Sequence, residues 1–482
     1  MSRSRERARP GRVRVAAAVT VVATLALSGC VAPDTVITPA PSVSTGPVVS
    51  VPVHPSPSAT PTNPPVDCGG APTSLSVSAW NVSTTPEFST LVDGFRSICP
   101  QVDVTLRDYA ASAYASRVSS DLRSGTAADI LALPSITQAY TWATGGYLMR
   151  VPDVVAALPR GVSGVEAYVV AGRNYGVPYR QESWLLFYNR DLFQAAGLPV
   201  PDGTWSWDTY ATVAKDLTAK LAEAGLTATG AYQDPAPAAV QGFANAQAGN
   251  EMSATGAFVS GDYTYMTPYY DRALDLAAAG AQPTLEAITA GHLTYGKQFG
   301  GQRAAMMLMG SSYLPTLIDD QTSGRAERFA WGVAPVPQVT AATIAAPVTF
   351  GDPTGLGINA RIATDKTGAA KAFLAYAASP AAAEALAGLG ITPAMSSEAI
   401  TVALFSLPGM PTDALSKFAV QTHATRPLNP PGQRTAEIQS VLAEAHTAIL
   451  TGAAPVADAL VAAGQRIMGV DASPTPTPTP TG

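Results

Sequence analysis

Charge is scarce in this 482-residue chain: Asp, Glu, Lys and Arg make up 13% of it, and the formal net charge is -6. A nucleic-acid surface needs clustered Lys and Arg to displace phosphate counterions, and beyond the first residues no basic stripe occurs, so nucleic acid is excluded as a partner. Cysteine is limited to 3 residues and histidine to 4 (His54, His292, His423, His446). With no HExxH or CxxC spacing among them, no metal site is expected. No G-x-S-x-G elbow or P-loop is present either, so neither an enzyme nor a bound cofactor is expected. The apolar run Val15 to Leu27 falls short of the roughly 20 residues a membrane-spanning helix needs. No repeat with a period of about 20 to 50 residues appears, which excludes a solenoid.

What is present begins with six arginines (Arg3, Arg5, Arg7, Arg9, Arg12, Arg14), the short apolar run, and Leu27-Ser28-Gly29-Cys30. This is the pattern of a secretion signal, here residues 1–29. It resembles a bacterial lipoprotein signal, and that resemblance implies a lipid on Cys30 and a chain anchored to the outer face of the cell membrane. Cys68 and Cys99 then remain as an even pair in an oxidising compartment, and a disulfide is expected. The geometry agrees, because Leu75 to Trp80 reads as a first strand and Glu87 to Ile98 as the helix returning beside it. Two free buried thiols are the alternative. From residue 30 to 67 the chain is rich in Pro, Ser, Thr and Val with almost no charge, a composition suited to an extended tether. The tail 471–482 is of the same kind, and no core is expected there.

Between these ends, short β-rich runs alternate with longer helical ones, the signature of βαβ units and a largely parallel α/β sheet. Strands are expected at Leu75–Trp80, Val102–Arg107, Ile130–Leu133, Trp184–Tyr188 and Gly355–Ala360. Helices are expected at Ala113–Ser124, ending at Gly125, and at Lys366–Ala378. The tyrosines 263, 265, 269 and 270 precede an expected helix Asp271–Ala279 and read as core.

Several motifs in order carry a family resemblance: Phe95-Arg96-Ser97-Ile98-Cys99-Pro100-Gln101-Val102, Leu122 to Ile130, Tyr188-Asn189-Arg190-Asp191-Leu192-Phe193, Gly203 to Asp208, Gly301 to Met306 and Trp331 to Pro337. In this order and spacing the chain resembles extracellular solute-binding proteins of ABC importers, the maltose-binding-protein-like group. It departs from the usual pattern at Ala128 and Gln302. The resemblance implies a two-lobed α/β fold with a ligand cleft between the lobes, lobe 1 at 68–182 plus 355–392 and lobe 2 at 183–354 plus 393–470. It further implies a monomer that hands a sugar to permease subunits. A sensor or adhesion protein of the same fold is the alternative, and a glycoside hydrolase using Glu182 and Asp352 is a more distant one.

A sugar offers hydroxyls at its edge and a C–H face, so its site needs planar polar side chains and aromatic rings. Trp80 and Asn81 end the first strand, where the ring either faces the cleft or caps the sheet core. Ser135 follows the third strand. Tyr179, Gln181 and Glu182 lie at the crossing between lobes, either as ligand contacts or as a hinge cluster around Arg180. Trp205 precedes a helix start in which Trp207 reads as core. Gln247, with Asn245 and Asn250, follows a helix, with surface amides as the alternative. Tyr313 is expected to stack on the sugar, Asp352 to accept hydroxyls at the return crossing, and Arg426 to close over the ligand or to stay solvated.

Overall fold

The computed structural model describes residues 67–248 and 256–469. The expected signal, Cys30, the tether, Asn250 and the tail lie outside the described residues. The first strand β1 (Thr73–Trp80) has five consecutive buried residues, because helices cover both faces of its sheet. The helix α1 (Glu87–Ile98) turns Phe88, Leu91, Val92 and Phe95 inward at helical spacing. It brings Cys99 to Cys68, and the two form a disulfide with their Cα atoms 5.6 Å apart. Next come β2 (Val102–Tyr109), α2 (Tyr114–Ser124), β3 (Ile130–Leu133) and α3 (Ile136–Thr144). Gly125, at φ 79, ends α2 in the left-handed conformation that glycine adopts without strain.

The strand β4 (Val177–Gln181) completes the first sheet and β5 (Trp184–Asn189) opens the second. The chain continues through α4 (Trp207–Glu223), β6 (Thr229–Tyr232), α5 (Ala238–Gln247) and α6 (Thr267–Ala278). It then forms β7 (Ala304–Gly310), α7 (Tyr313–Ser323), β8 (Trp331–Ala334) and β9 (Val348–Phe350). The strand β10 (Pro353–Ile358) returns to the first sheet, followed by α8 (Thr367–Ala377) and α9 (Pro380–Ala387). Finally β11 (Ala424–Arg426), α10 (Thr435–Leu450) and α11 (Val456–Met468) lie with the second lobe.

Two sheets result. The first has the order β2-β1-β3-β10-β4 and the second β8-β5-β7-β6. The expectation of a largely parallel sheet holds with one exception in each: β10 runs antiparallel to β3 and β4, and β5 antiparallel to β7 and β8. In both cases the antiparallel strand is one that begins at a crossing and therefore enters its sheet from the opposite end. The return strand begins at Pro353, slightly ahead of the expected 355. The helix expected from Asp271 starts at Thr267, where Pro268 suits a first turn, so Tyr269 and Tyr270 sit inside it. Each lobe has its own core. The second sheet is covered on both faces, since Leu186 and Tyr188 enter one cluster while the alternating Leu185 and Phe187 enter another.

Candidate functional site

Strand direction locates the cleft. Because β4 is antiparallel to β10, and β10 to β3, the carboxyl end of β4 lies at the same edge as those of β1 and β3. That edge carries Trp80, Tyr109 and Pro134, and from it the chain crosses at Glu182–Ser183. In the second sheet, the start of β5 and the ends of β6 and β7 meet the same crossing. Ligands of open α/β sheets bind beyond such carboxyl ends.

The crossing is built by close backbone approaches. The Glu182 N–H donates to the Asp352 carbonyl at 3.3 Å, and the Gly351 N–H to the Arg426 carbonyl at 2.9 Å. A Cβ at Gly351 would run into the Glu182 backbone carbonyl, so that position requires glycine, and one at Gly310 would push the Glu182 carboxylate from its place. Glu182 accepts from the Ser312 N–H at 3.0 Å. Burial pushes its carboxyl above the usual range, against the lowering effect of the Ser312 bonds and the Arg180 charge. Asp352 accepts from the Leu428 N–H at 3.0 Å. Burial pushes it up to about 6, with that one bond opposing. Among the described residues neither carboxylate forms an ion pair.

Other expected residues are already committed to the fold. Tyr179 is buried and its hydroxyl donates to Glu87 Oε1 at 2.8 Å; Arg180 donates to Glu87 Oε2 at 3.2 Å and to Thr354 Oγ1 at 3.1 Å. The hydroxyl of Tyr179 is therefore not presented to a ligand. Gln181 is buried and its amide holds the Glu182 and Gly351 carbonyls, at 2.7 and 3.4 Å. Gln247 lies on α5 rather than after a helix. It accepts from Trp207 Nε1 at 2.6 Å and the Tyr269 hydroxyl at 2.8 Å, and donates to the Pro337 carbonyl at 2.9 Å. That amide is fully used within the second lobe, which corrects its assignment to the ligand. Asn245 is likewise buried, donating to the Leu428 carbonyl at 2.9 Å. Tyr313, 2% exposed, packs against Tyr295, Phe187 and Phe299, so the expected stacking face is enclosed in core.

Trp80 remains half-buried, edge-on to Phe88 at 5.0 Å and Tyr114 at 4.9 Å. Asn81 is exposed at φ 52, and its carbonyl accepts from Thr84 and Thr85 N–H groups, so this turn itself favours an asparagine. Ser135 caps α3 by accepting from the Gln138 N–H at 3.2 Å. Trp205 packs on Phe193 in the second lobe. Arg426 donates to the Ala246 carbonyl at 2.7 Å, at the end of α5, and so braces a helix rather than reaching out as a closing arm.

Sequence reasoning passed over three residues at this edge. Trp184 opens β5 with its ring stacked on Phe350 at 4.8 Å. Asp234 follows β6 and accepts from the Ala236 N–H at 2.9 Å. His423 touches Ser183 Oγ with Nε2 at 2.9 Å. An aromatic directly after a crossing and an acid directly after a strand were the available signals. A cavity of about 160 Å³ beside the crossing is lined in part by Gln181, Ser183, Thr392 and His423.

The arrangement provides carboxylate acceptors between two lobes and aromatic rings at their edges. The model of the family described as bacterial extracellular solute-binding protein matches residues 81–384. An uncharacterized lipoprotein of Streptomyces antibioticus is 28% identical over 281 residues, covering 54% of this chain and 57% of that protein. The chain thus spans little more than half the length of that curated relative. A sugar transporter structure from Rhizobium etli, in an open conformation, matches with a TM-score of 0.73 at 24% identity, covering 82% of this chain and 99% of that one. An ABC substrate-binding protein of Listeria monocytogenes, in complex with cycloalternan, matches with a TM-score of 0.65 at 18% identity, covering 82% and 99%. These likenesses establish a two-lobed α/β fold.

Proposed function

The chain belongs to the bacterial extracellular solute-binding proteins, and from that premise we propose that it captures a sugar or oligosaccharide in the interlobe cleft and delivers it to an ABC permease. It acts without a catalytic step, as a monomer held at the outer face of the membrane by a lipid on Cys30. The lipoprotein relative and the sugar and cycloalternan descriptions of the matched structures support this reading. The observation that carries it is the pair Glu182 and Asp352. Both are half-buried at the crossing, each takes a backbone N–H, and neither takes a cation among the described residues. Carboxylates so placed accept sugar hydroxyls in a water-poor setting, where charge-assisted hydrogen bonds are strong. Trp80, Asn81, Ser135 and Trp184 flank them. A ligand that touches both lobes favours closure by its differential affinity for the closed form.

Thermal unfolding against mono- and oligosaccharides, polyols and amino acids tests the reading. A ligand at about a hundred times its Kd adds about 2.7 kcal/mol of stability, an upward shift readily measured. A selective shift with a carbohydrate that is recovered chemically unchanged is expected. Turnover of the sugar would move the assignment to a hydrolase. The absence of any carbohydrate shift would remove sugar capture.

A further inference from the structure

One buried histidine, His446, lies away from the crossing and yet is bonded to a loop that faces it. The strand β6 runs parallel to β7, and the end of β7 delivers Ser312 against Glu182. The end of β6 therefore points to the same side, and the loop 233–237 that follows it starts at that edge with Asp234, while Gln233 lines a cavity within the second lobe. Asp234 closes a turn onto the Ala236 N–H, and beyond Gln233 and Pro235 a cavity of about 450 Å³ opens toward α6 and the end of α10. On the inner side, His446 of α10, 2% exposed, places Nε2 3.1 Å from the Pro235 carbonyl.

The polarity of that contact is set by the chain of bonds behind it. The Pro235 carbonyl only accepts, so Nε2 carries the proton and Nδ1 offers its lone pair. Nδ1 lies 3.1 Å from the Tyr270 hydroxyl, which donates to it and in turn accepts from Gln241 Nε2 at 2.7 Å. Gln241 also donates to the Leu442 carbonyl at 2.9 Å. The bonds thus run in one direction, from α5 through α6 and α10 to the loop, and each donor meets an acceptor. Burial pushes His446 down to about 4, which keeps it neutral, as this order of bonds requires.

We propose that His446 is a positioning residue for the solute cleft: through its Nε2–H bond to the Pro235 carbonyl it fixes the loop that presents Asp234 to the ligand. This rests on the cleft being the solute site, so the test has one readout with ligand and one without. His446→Phe fills the volume but cannot donate, His446→Gln places an amide donor near Nε2, and Tyr270→Phe removes only the hydroxyl that orients the ring. The ligand-free readout is amide hydrogen exchange at Gln233, Asp234 and Ala236, the residues of 233–237 that carry a backbone N–H. It should accelerate in His446→Phe and Tyr270→Phe at temperatures well below unfolding and be restored by His446→Gln. With the carbohydrate selected by the thermal panel, the Kd of His446→Phe should rise about tenfold, the worth of one lost buried hydrogen bond, and His446→Gln should recover most of it. A lower Tm with unchanged loop exchange and unchanged Kd would make His446 a core residue only and overturn the proposal. If no carbohydrate binds the parent protein while the exchange pattern holds, sugar capture fails and the loop assignment stands. If His446→Phe does not fold, Tyr270→Phe decides by the same two readouts.

Discussion

The two sides of the first crossing treat their charges in opposite ways. Before it, in the first lobe, the buried Glu87 takes the Tyr179 hydroxyl and the Arg180 guanidinium, and Arg180 also reaches Thr354. After it, Glu182 and Asp352 have no ion-pair partner among the described residues and accept from Ser312 and Leu428, and burial raises both carboxyls above their usual range. Residue type does not distinguish the two groups; pairing does. A closed ion pair holds a lobe together, whereas an unpaired, half-buried carboxylate costs stability and has bonding capacity left for a ligand.

The largest test of this contrast is Glu87→Ala. It strands the Arg180 charge and should cost about 3 to 5 kcal/mol, read from urea unfolding, while solute affinity of the folded protein changes little. A large loss of affinity with little loss of stability would place Glu87 on the functional side and dissolve the division.

Reducing the Cys68–Cys99 bond, or replacing both by serine, should act only on the first lobe. The closed loop has a sequence separation of 31, for which chain entropy gives about 3 to 4 kcal/mol. Affinity for the solute should stay constant, because the bond lies at the start of β1, at the end of the strand opposite Trp80.

Glu182→Gln and Asp352→Asn should do the reverse. Each should weaken solute binding about 10- to 100-fold, the range for a hydrogen bond to a charged acceptor, as measured by calorimetric titration. Stability at neutral pH should be equal or slightly higher, since each substitution removes a charge whose burial is unfavourable. A drop in stability comparable to that of Glu87→Ala would show that these carboxylates are structural.

How far the chain could be read from its residues follows the same line. The crossing at Glu182 came from the family resemblance, whereas strands and helix ends were legible because apolar runs and Gly125 are local patterns. Direction within the sheets was not, since antiparallel β5 and β10 follow from where the chain crosses. At the candidate site, Glu182 and Asp352 stood out as polar residues at the crossings that the resemblance implies. Tyr179, Gln247 and Tyr313 looked equally suitable, yet their hydroxyls, amide and ring are taken up by Glu87, by Trp207 and Tyr269, and by Phe187 and Phe299, which lie far away in sequence. Asp234 was passed over because its position depends on β6 lying parallel to β7, and the Cys68–Cys99 pairing was legible because so few cysteines leave little choice.

The smallest effect separates stability from affinity by pH alone. An unfolded chain holds Asp352 near the ordinary 3.8, whereas in the fold burial raises it to about 6. Between those values the folded state binds more protons than the unfolded one, so this group's contribution to stability is fully present below pH 4 and is lost as pH rises to about 6. A carboxylate that must be ionised to accept two sugar hydroxyls imposes the opposite trend on binding. The ionised fraction grows about tenfold from pH 5 to pH 7, and the association constant should grow with it and then level off. Asp352→Asn should flatten both curves while Glu182→Gln leaves the Asp352 step in place. Parallel rather than opposed curves would mean that the protonated form of Asp352 is the one that binds, acting as a hydroxyl donor instead of an acceptor.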